Sequence, residues 1–112
     1  MTVLAPDGSE VRVLATSPRG SMAHFALAEG EVSIAKAHRS IEELWYFVAG
    51  RGEMVIGDDV CNVHPGVSVA VPPETRFQFR SLEGTLEAVA VTMPPWPGDH
   101  EALDAEPHWD QA

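Results

Sequence analysis

Residues 30–50 read GEVSIAKAHRSIEELWYFVAG, and this stretch decides the fold. From Glu43 to Ala49 every residue after the acid is apolar or aromatic. That run is too short for a helix of ordinary length and is rich in the residues that favour strands. In a strand, alternate side chains share a face. Glu43, Trp45 and Phe47 therefore share one face, and Leu44, Tyr46 and Val48 the other. Lys36 and His38 share a face on the preceding segment, together with Ile34 if the strand extends that far back.

The same grammar runs outward in both directions. Segments 10–16, 22–28, 31–38, 52–57, 59–64, 67–72, 76–81 and 86–93 are short and rich in Val, Ile, Ala and aromatics, and several of them alternate. Turn signals separate them: PDG at 6–8, AGRG at 49–52, GDD at 57–59, HPG at 64–66, PPE at 72–74 and SLEG at 81–84. Short strands in this rhythm predict an all-β sandwich or barrel. A long helix has no room, beyond a short turn in the tail. The expected division is a barrel over residues 1–93 and an acidic, Pro- and Trp-containing arm over 94–112. Exposing Trp96 and Trp109 would be costly, so the arm is expected to dock at least through Trp96, with fraying confined to the last three or four residues.

Composition narrows the function classes. The chain has 112 residues, which is one domain, and its 45% of apolar residues suffices for a core. Seventeen acids against seven bases give a net charge of −10, with no basic cluster. A nucleic-acid backbone or an anionic membrane would be repelled, so neither is an expected partner. The single Cys61 allows no internal disulfide. MTVLAPDGSE lacks a basic region and a long apolar run, and no stretch approaches a membrane span. A soluble, cytoplasmic protein is expected.

Two spaced motifs carry a resemblance. Gly30, five residues, Lys36, one residue, His38, four residues, Glu43, six residues and Gly50 form the first. Gly66, five residues and Pro72 open the second, with Glu74, Phe77 and Ser81 at its later positions; fifteen residues lie between the two. Together they resemble the paired motifs of the cupin superfamily. The resemblance implies a small jelly-roll β-barrel, the double-stranded β-helix. It also implies a metal site with His, His, Glu and His at positions 36, 38, 43 and 77, where this chain has Lys36, His38, Glu43 and Phe77. Glycine would stand at position 74.

Imidazole and carboxylate suit Fe, Mn, Ni, Zn or Cu. A catalytic site ordinarily supplies three protein ligands, and only His38 and Glu43 remain here. Lys36 would repel the cation. A metal is therefore not favoured, unless His24 or His64 is recruited as a third ligand. The expectation is instead a Lys36–Glu43 ion pair beside His38, forming the polar end of an interior pocket. Trp45, Phe47, Met54, Phe77 and Phe79 would line it, and Arg76, Gln78 and Arg80 would face outward. Pockets of this kind hold small molecules.

Three readings follow from these residues. The preferred one is metal-free binding or sensing of a small molecule. The second is an enzyme with Lys36, His38 and Glu43 as candidate catalytic groups. It would be a metal-dependent oxygenase or isomerase, or a metal-free acid–base catalyst in which Lys36 steadies an enolate-like charge. The third is a structural module whose aromatics fill the barrel. A homodimer is expected, because a single barrel leaves a sheet face and edge strands to cover.

Overall fold

The structure, a computed structural model, describes residues 2–110. Nine strands follow in order: β1 (Thr2–Leu4), β2 (Glu10–Ser17), β3 (Gly20–Leu27), β4 (Lys36–His38), β5 (Glu42–Ile56), β6 (Asp59–Val63), β7 (Ser68–Val71), β8 (Phe77–Met93) and β9 (Ala102–Asp104). A single 3-10 turn at Asp99–Glu101 precedes β9. Every strand pairing is antiparallel. The sheet curls into the expected all-β cupin-type barrel, and among the described residues no helix is long and apolar enough to cross a membrane.

Two pairs of expected strands are fused. Segments 43–49 and 52–57 form the single long β5, and 76–81 and 86–93 form β8. AGRG at 49–52 is thus not a hairpin turn. It is a bulged bend where the register of β5 on β8 shifts three times. A side chain at Gly50 would lie 2.3 Å from the Thr85 carbonyl oxygen, and one at Gly52 would lie 2.0 Å from that of Arg80. The glycines let the two backbones approach while both strands bend, as bulges in barrel corners do. The first half of β5 then pairs with the last half of β8, and the reverse.

Alternation along β5 fills the core as expected. Trp45, Phe47 and Met54 are buried with Phe77 and Phe79 of β8, Val63 of β6 and Val71 of β7. Leu44, Tyr46 and Val48 face out, at 50%, 52% and 42% exposure. The expected strand 31–38 survives only as β4, with Val32 bridged to Arg80. Ser33 and Ala35 are the buried residues of the irregular part, and Ile34 is exposed rather than interior, so the alternation read back from Lys36 does not hold there.

Residues 94–110 wrap the barrel. β9 pairs with β4, setting Lys36 opposite Asp104 and His38 opposite Ala102. Further on, the buried Gln78 amide accepts from the backbone N–H groups of His108 and Trp109 and donates to the carbonyls of Ser33 and Trp109. All four of its hydrogen-bonding positions are thereby used. The Arg80 guanidinium lies 4.6 Å from the Trp109 ring centroid, a cation–π contact. Gln78, Arg76 and Arg80 do point away from the barrel interior, but this arm covers Gln78 completely and the arginines in part. Trp109, within the stretch expected to fray, is held; Gln111 and Ala112 lie outside the described residues.

Crowding at position 52 makes a direct test. Gly52→Ala is expected to lower stability by about 1–3 kcal/mol or more, the range for forcing extra carbon into a packed site. Gly66→Ala, where a side chain meets nothing within 4 Å, is expected to cost only about 1 kcal/mol, from its positive φ. Urea unfolding of the two variants measures the difference, and equal losses would contradict the crossing.

Candidate functional site

The polar end of the interior is assembled from four strands and a turn. β4 supplies Lys36 and His38, β5 supplies Glu43, β8 supplies Thr92 opposite Glu43, and β3 supplies Ser21, whose hydroxyl bonds that of Thr92. The turn before β2 supplies Asp7. These groups sit on the wall of a cavity of about 440 Å³. Its apolar side includes Phe25 stacked on Trp45, with centroids 4.9 Å apart and planes 17° from parallel, and Phe77. The volume falls in the range of ligand pockets.

His38 is held from three sides. Its ring meets Phe77 at 5.0 Å and Trp96 of the arm at 5.2 Å, and its backbone carbonyl accepts from the Glu74 N–H at 2.7 Å. Glu74 has φ +59°, a left-handed conformation that costs a side-chain-bearing residue about 1–2 kcal/mol. That is where the cupin motif carries glycine, so the turn keeps the motif's shape without its residue.

His38 Nδ1 lies 3.3 Å from Glu43 Oε1. The distance is that of a close pair, but the angles do not make a hydrogen bond. Both atoms are buried without hydrogen-bond partners, as is the Trp45 indole nitrogen. Burial pushes the Glu43 carboxyl up to about 8; the nearby Trp45 N–H opposes the rise and Asp7 adds to it. Burial lowers His38, against the pull of the Glu101 carboxylate. Burial likewise raises Asp7, although the Ser9 hydroxyl and backbone N–H both donate to it. Near neutral pH the pair is a neutral imidazole beside a protonated carboxyl.

The expected Lys36–Glu43 ion pair does not form. Lys36 Nζ instead bonds Asp104 Oδ1 at 2.8 Å, because β9 places Asp104 directly across from it. Of the residues expected to line the pocket, Lys36, His38, Glu43, Trp45 and Phe77 do so. Phe47, Met54 and Phe79 are in the closed core instead, toward the other end of the barrel. Asp7, Phe25, Thr92 and Trp96 belong to the wall and were not anticipated. PDG had the form of an ordinary turn, and only its packing into the cavity wall buries its aspartate.

The donor set does not fit a transition metal. His38 and Glu43 are the only motif ligands retained. His24 faces the opposite side of β3, where its Nε2 lies 2.9 Å from Glu87 Oε1. His64 is near the far rim, against the Pro65 carbonyl. Among the described residues no three His, Cys, Asp or Glu side chains gather as a ligand set. Cys61 is half-buried, its thiol raised by burial and bonded to the Met54 carbonyl, which makes it a packing residue.

Fold and wall together describe a small β-barrel with a cavity of about 440 Å³ and a polar cluster at one end. The cupin domain family matches residues 23–94, and the chain belongs to that family. An uncharacterized protein of Methanocaldococcus jannaschii, MJ1618, is 24% identical over 99 residues, covering 83% of this chain and 79% of that protein. KdgF from Halomonas sp. superposes with a TM-score of 0.75 at 19% identity, over 80% of this chain and 82% of that one. The Streptomyces nucleoside dehydratase Pac13 superposes with a TM-score of 0.76 at 16% identity, over 94% of this chain and 83% of that one. At these identities the solved structures establish the fold.

The Glu43 carboxyl gives a pH test. Its value rises on folding from an ordinary 4.5 to about 8, so the folded chain keeps a proton that the unfolded chain has released. Stability from this group is complete below 4.5 and is lost as pH rises toward 8. His38, lowered from 6.5, acts in the opposite sense below that value. Between pH 6.5 and 8, wild type is expected to lose up to about 1.4 kcal/mol per pH unit relative to Glu43→Gln. Chemical denaturation across that interval checks the slope; parallel profiles would mean that Glu43 is already ionised.

Proposed function

We propose that the protein binds a small molecule in this cavity without a transition metal. The observation that carries the reading is the pair of buried, unpartnered atoms, His38 Nδ1 and Glu43 Oε1, on the wall of a largely apolar cavity. A buried polar atom left unpaired costs about 1–3 kcal/mol. A ligand toward which the two side chains turn, offering a donor to His38 and an acceptor to a protonated Glu43, would remove that cost. The Phe25–Trp45 stack offers a flat apolar wall for the rest of it. The Streptomyces protein with a similar barrel has been solved with uridine, an uncharged ligand, which accords with this reading.

A second reading is metal-free acid–base catalysis. It is favoured by the pairing of a neutral imidazole with a carboxyl that titrates near neutral pH, the arrangement general acid–base chemistry uses. His38 would take a proton and Glu43 would give one. Lys36, tied to Asp104, would steady charge only at the cavity edge. A metal-dependent oxygenase or isomerase is the weakest of the readings, for want of a third ligand.

Titration of chelator-treated, isotope-labelled protein with 2-phenylethanol, followed by amide NMR, tests the binding reading. Shifts are expected at Phe25, His38 and Trp45, weakened several-fold by His38→Ala, and unchanged by prior zinc loading. Shifts that arise only after zinc loading would favour the metalloenzyme instead.

The outward face of β5 is proposed as the contact of a homodimer. Leu44 and Tyr46 lie beside Val91 and Val89 of β8 in the sheet, with Met22 of β3 next in the row. A contiguous apolar face of this kind marks a protein–protein contact. Light scattering at micromolar concentration is expected to give twice the chain mass, and Tyr46→Glu to give a monomer. A monomeric wild type would sink the dimer.

A further inference from the structure

We propose that Asp104, outside the cavity, sets the charge of the ligand: by holding Lys36 it makes the cavity a site for uncharged or cationic molecules and closes it to small anions. This deepens the reading of the cavity as a small-molecule site and rests on it. Lys36 is the only lysine in the chain. Among the described residues it is also the only lysine or arginine on the cavity wall, and so the group with which a carboxylate ligand would pair. None of the six arginines lines the cavity, and three are engaged elsewhere: Arg39 with the His100 carbonyl, Arg76 with Gly57, Asp58 and Glu106, and Arg80 with Glu53.

The Lys36–Asp104 pair is lopsided. The lysine side chain is 14% exposed and the aspartate 96%. Asp104 therefore contributes charge from the solvent side, while Lys36 forms part of the wall. An exposed ion pair alone is weak, about 0–1 kcal/mol. Asp104 has an advantage over a free carboxylate, however. The β4–β9 register tethers it opposite Lys36, so it competes at the high effective concentration of an intramolecular partner. An anion that displaced it would still face Asp7 and Asp99, which with the protonated Glu43 are the other acidic side chains on the wall among the described residues. One cation, already matched, is set against two further acids. A hydroxyl, amide or ammonium group meets no such opposition, since each can donate to Asp7 or His38.

Collisional quenching of tryptophan reads the cavity's charge without a known ligand. Trp96 lies on the wall, and Trp109 lies on the other side of the sheet beside Arg80. In a Trp109→Phe background, which leaves Trp96 and the buried Trp45, both on the cavity wall, acrylamide and caesium are expected to quench the emission readily, and iodide poorly. Asp104→Asn is expected to raise the iodide quenching constant about two- to fivefold, the equivalent of a released exposed ion pair. Asp59→Asn, the same charge change on the exposed β6, is expected to leave it unaltered. Iodide quenching equal to that by caesium, or equal effects of the two asparagine variants, would overturn the proposal.

A parallel NMR titration compares 2-phenylethanol, 2-phenylethylammonium and phenylacetate. The first two are expected to shift cavity resonances in wild type, and phenylacetate only in Asp104→Asn. Phenylacetate shifts in wild type as large as those from the alcohol would also overturn it. No shifts from any of the three would sink the small-molecule reading itself, while the quenching result still decides the cavity's charge preference.

Discussion

The close passage of β5 over β8 at Gly50 and Gly52 is the constraint on which the rest of the barrel depends. Both strands are too long to stay flat, and both bend at the same place, where β5 presents glycines to the backbone of β8. The bend gives each strand two sets of neighbours. The first half of β5 lies between β7 and the end of β8, and β8 continues the sheet into β3. That arrangement places Glu43 beside Thr92, Thr92 beside Ser21, and Trp45 over Phe25. A barrel that could not close at this crossing would splay those partners, and the cavity wall with them.

Two buried glutamates show how the same fold tunes one side chain in opposite directions. Glu101 and Glu43 are 4% and 2% exposed. Burial raises both, but Glu101 receives the Ser40 N–H and hydroxyl and the Ile41 N–H, and those bonds outweigh burial and bring it below its ordinary value. Glu43 has no such donors and stays high. Glu101 is a fastener between the arm and the chain leading into β5. Glu43 is a carboxyl kept short of partners on a cavity wall, and groups left in that condition are the ones chemistry or binding can use.

Much of the barrel was legible from the strand alternation of residues 43–49 and the spacing of the two motifs, because period-2 patterning and glycine placement are local. The facing of Trp45 and Phe47 inward and Leu44 and Tyr46 outward needed nothing else. Harder to read was anything decided by long-range register. AGRG and SLEG have the composition of turns, and only the packing of β5 on β8 shows that the chain runs through them. The depth of the cavity was likewise hidden: Phe47 and Phe79 share faces with Trp45 and Phe77, but sit two residues further along and belong to the closed end. Lys36 lacked its expected partner because Asp104 lies sixty-eight residues away in an arm whose path no local pattern dictates. Asp7 was concealed by looking like any other aspartate before a glycine.

The Gln78 amide and β9 also order events in time. A chain emerging from the ribosome makes β5, β8 and the glycine crossing before it makes residues 102–109. Until then the outer edge of β4 has no strand beside it, Gln78 is uncovered with three of its four bonds unmade, and Lys36 has no tethered counter-charge. The hydrophobic interior can therefore collapse first, while the strand carrying Lys36 and His38 takes its final place only when the last stretch of backbone arrives to lie against it.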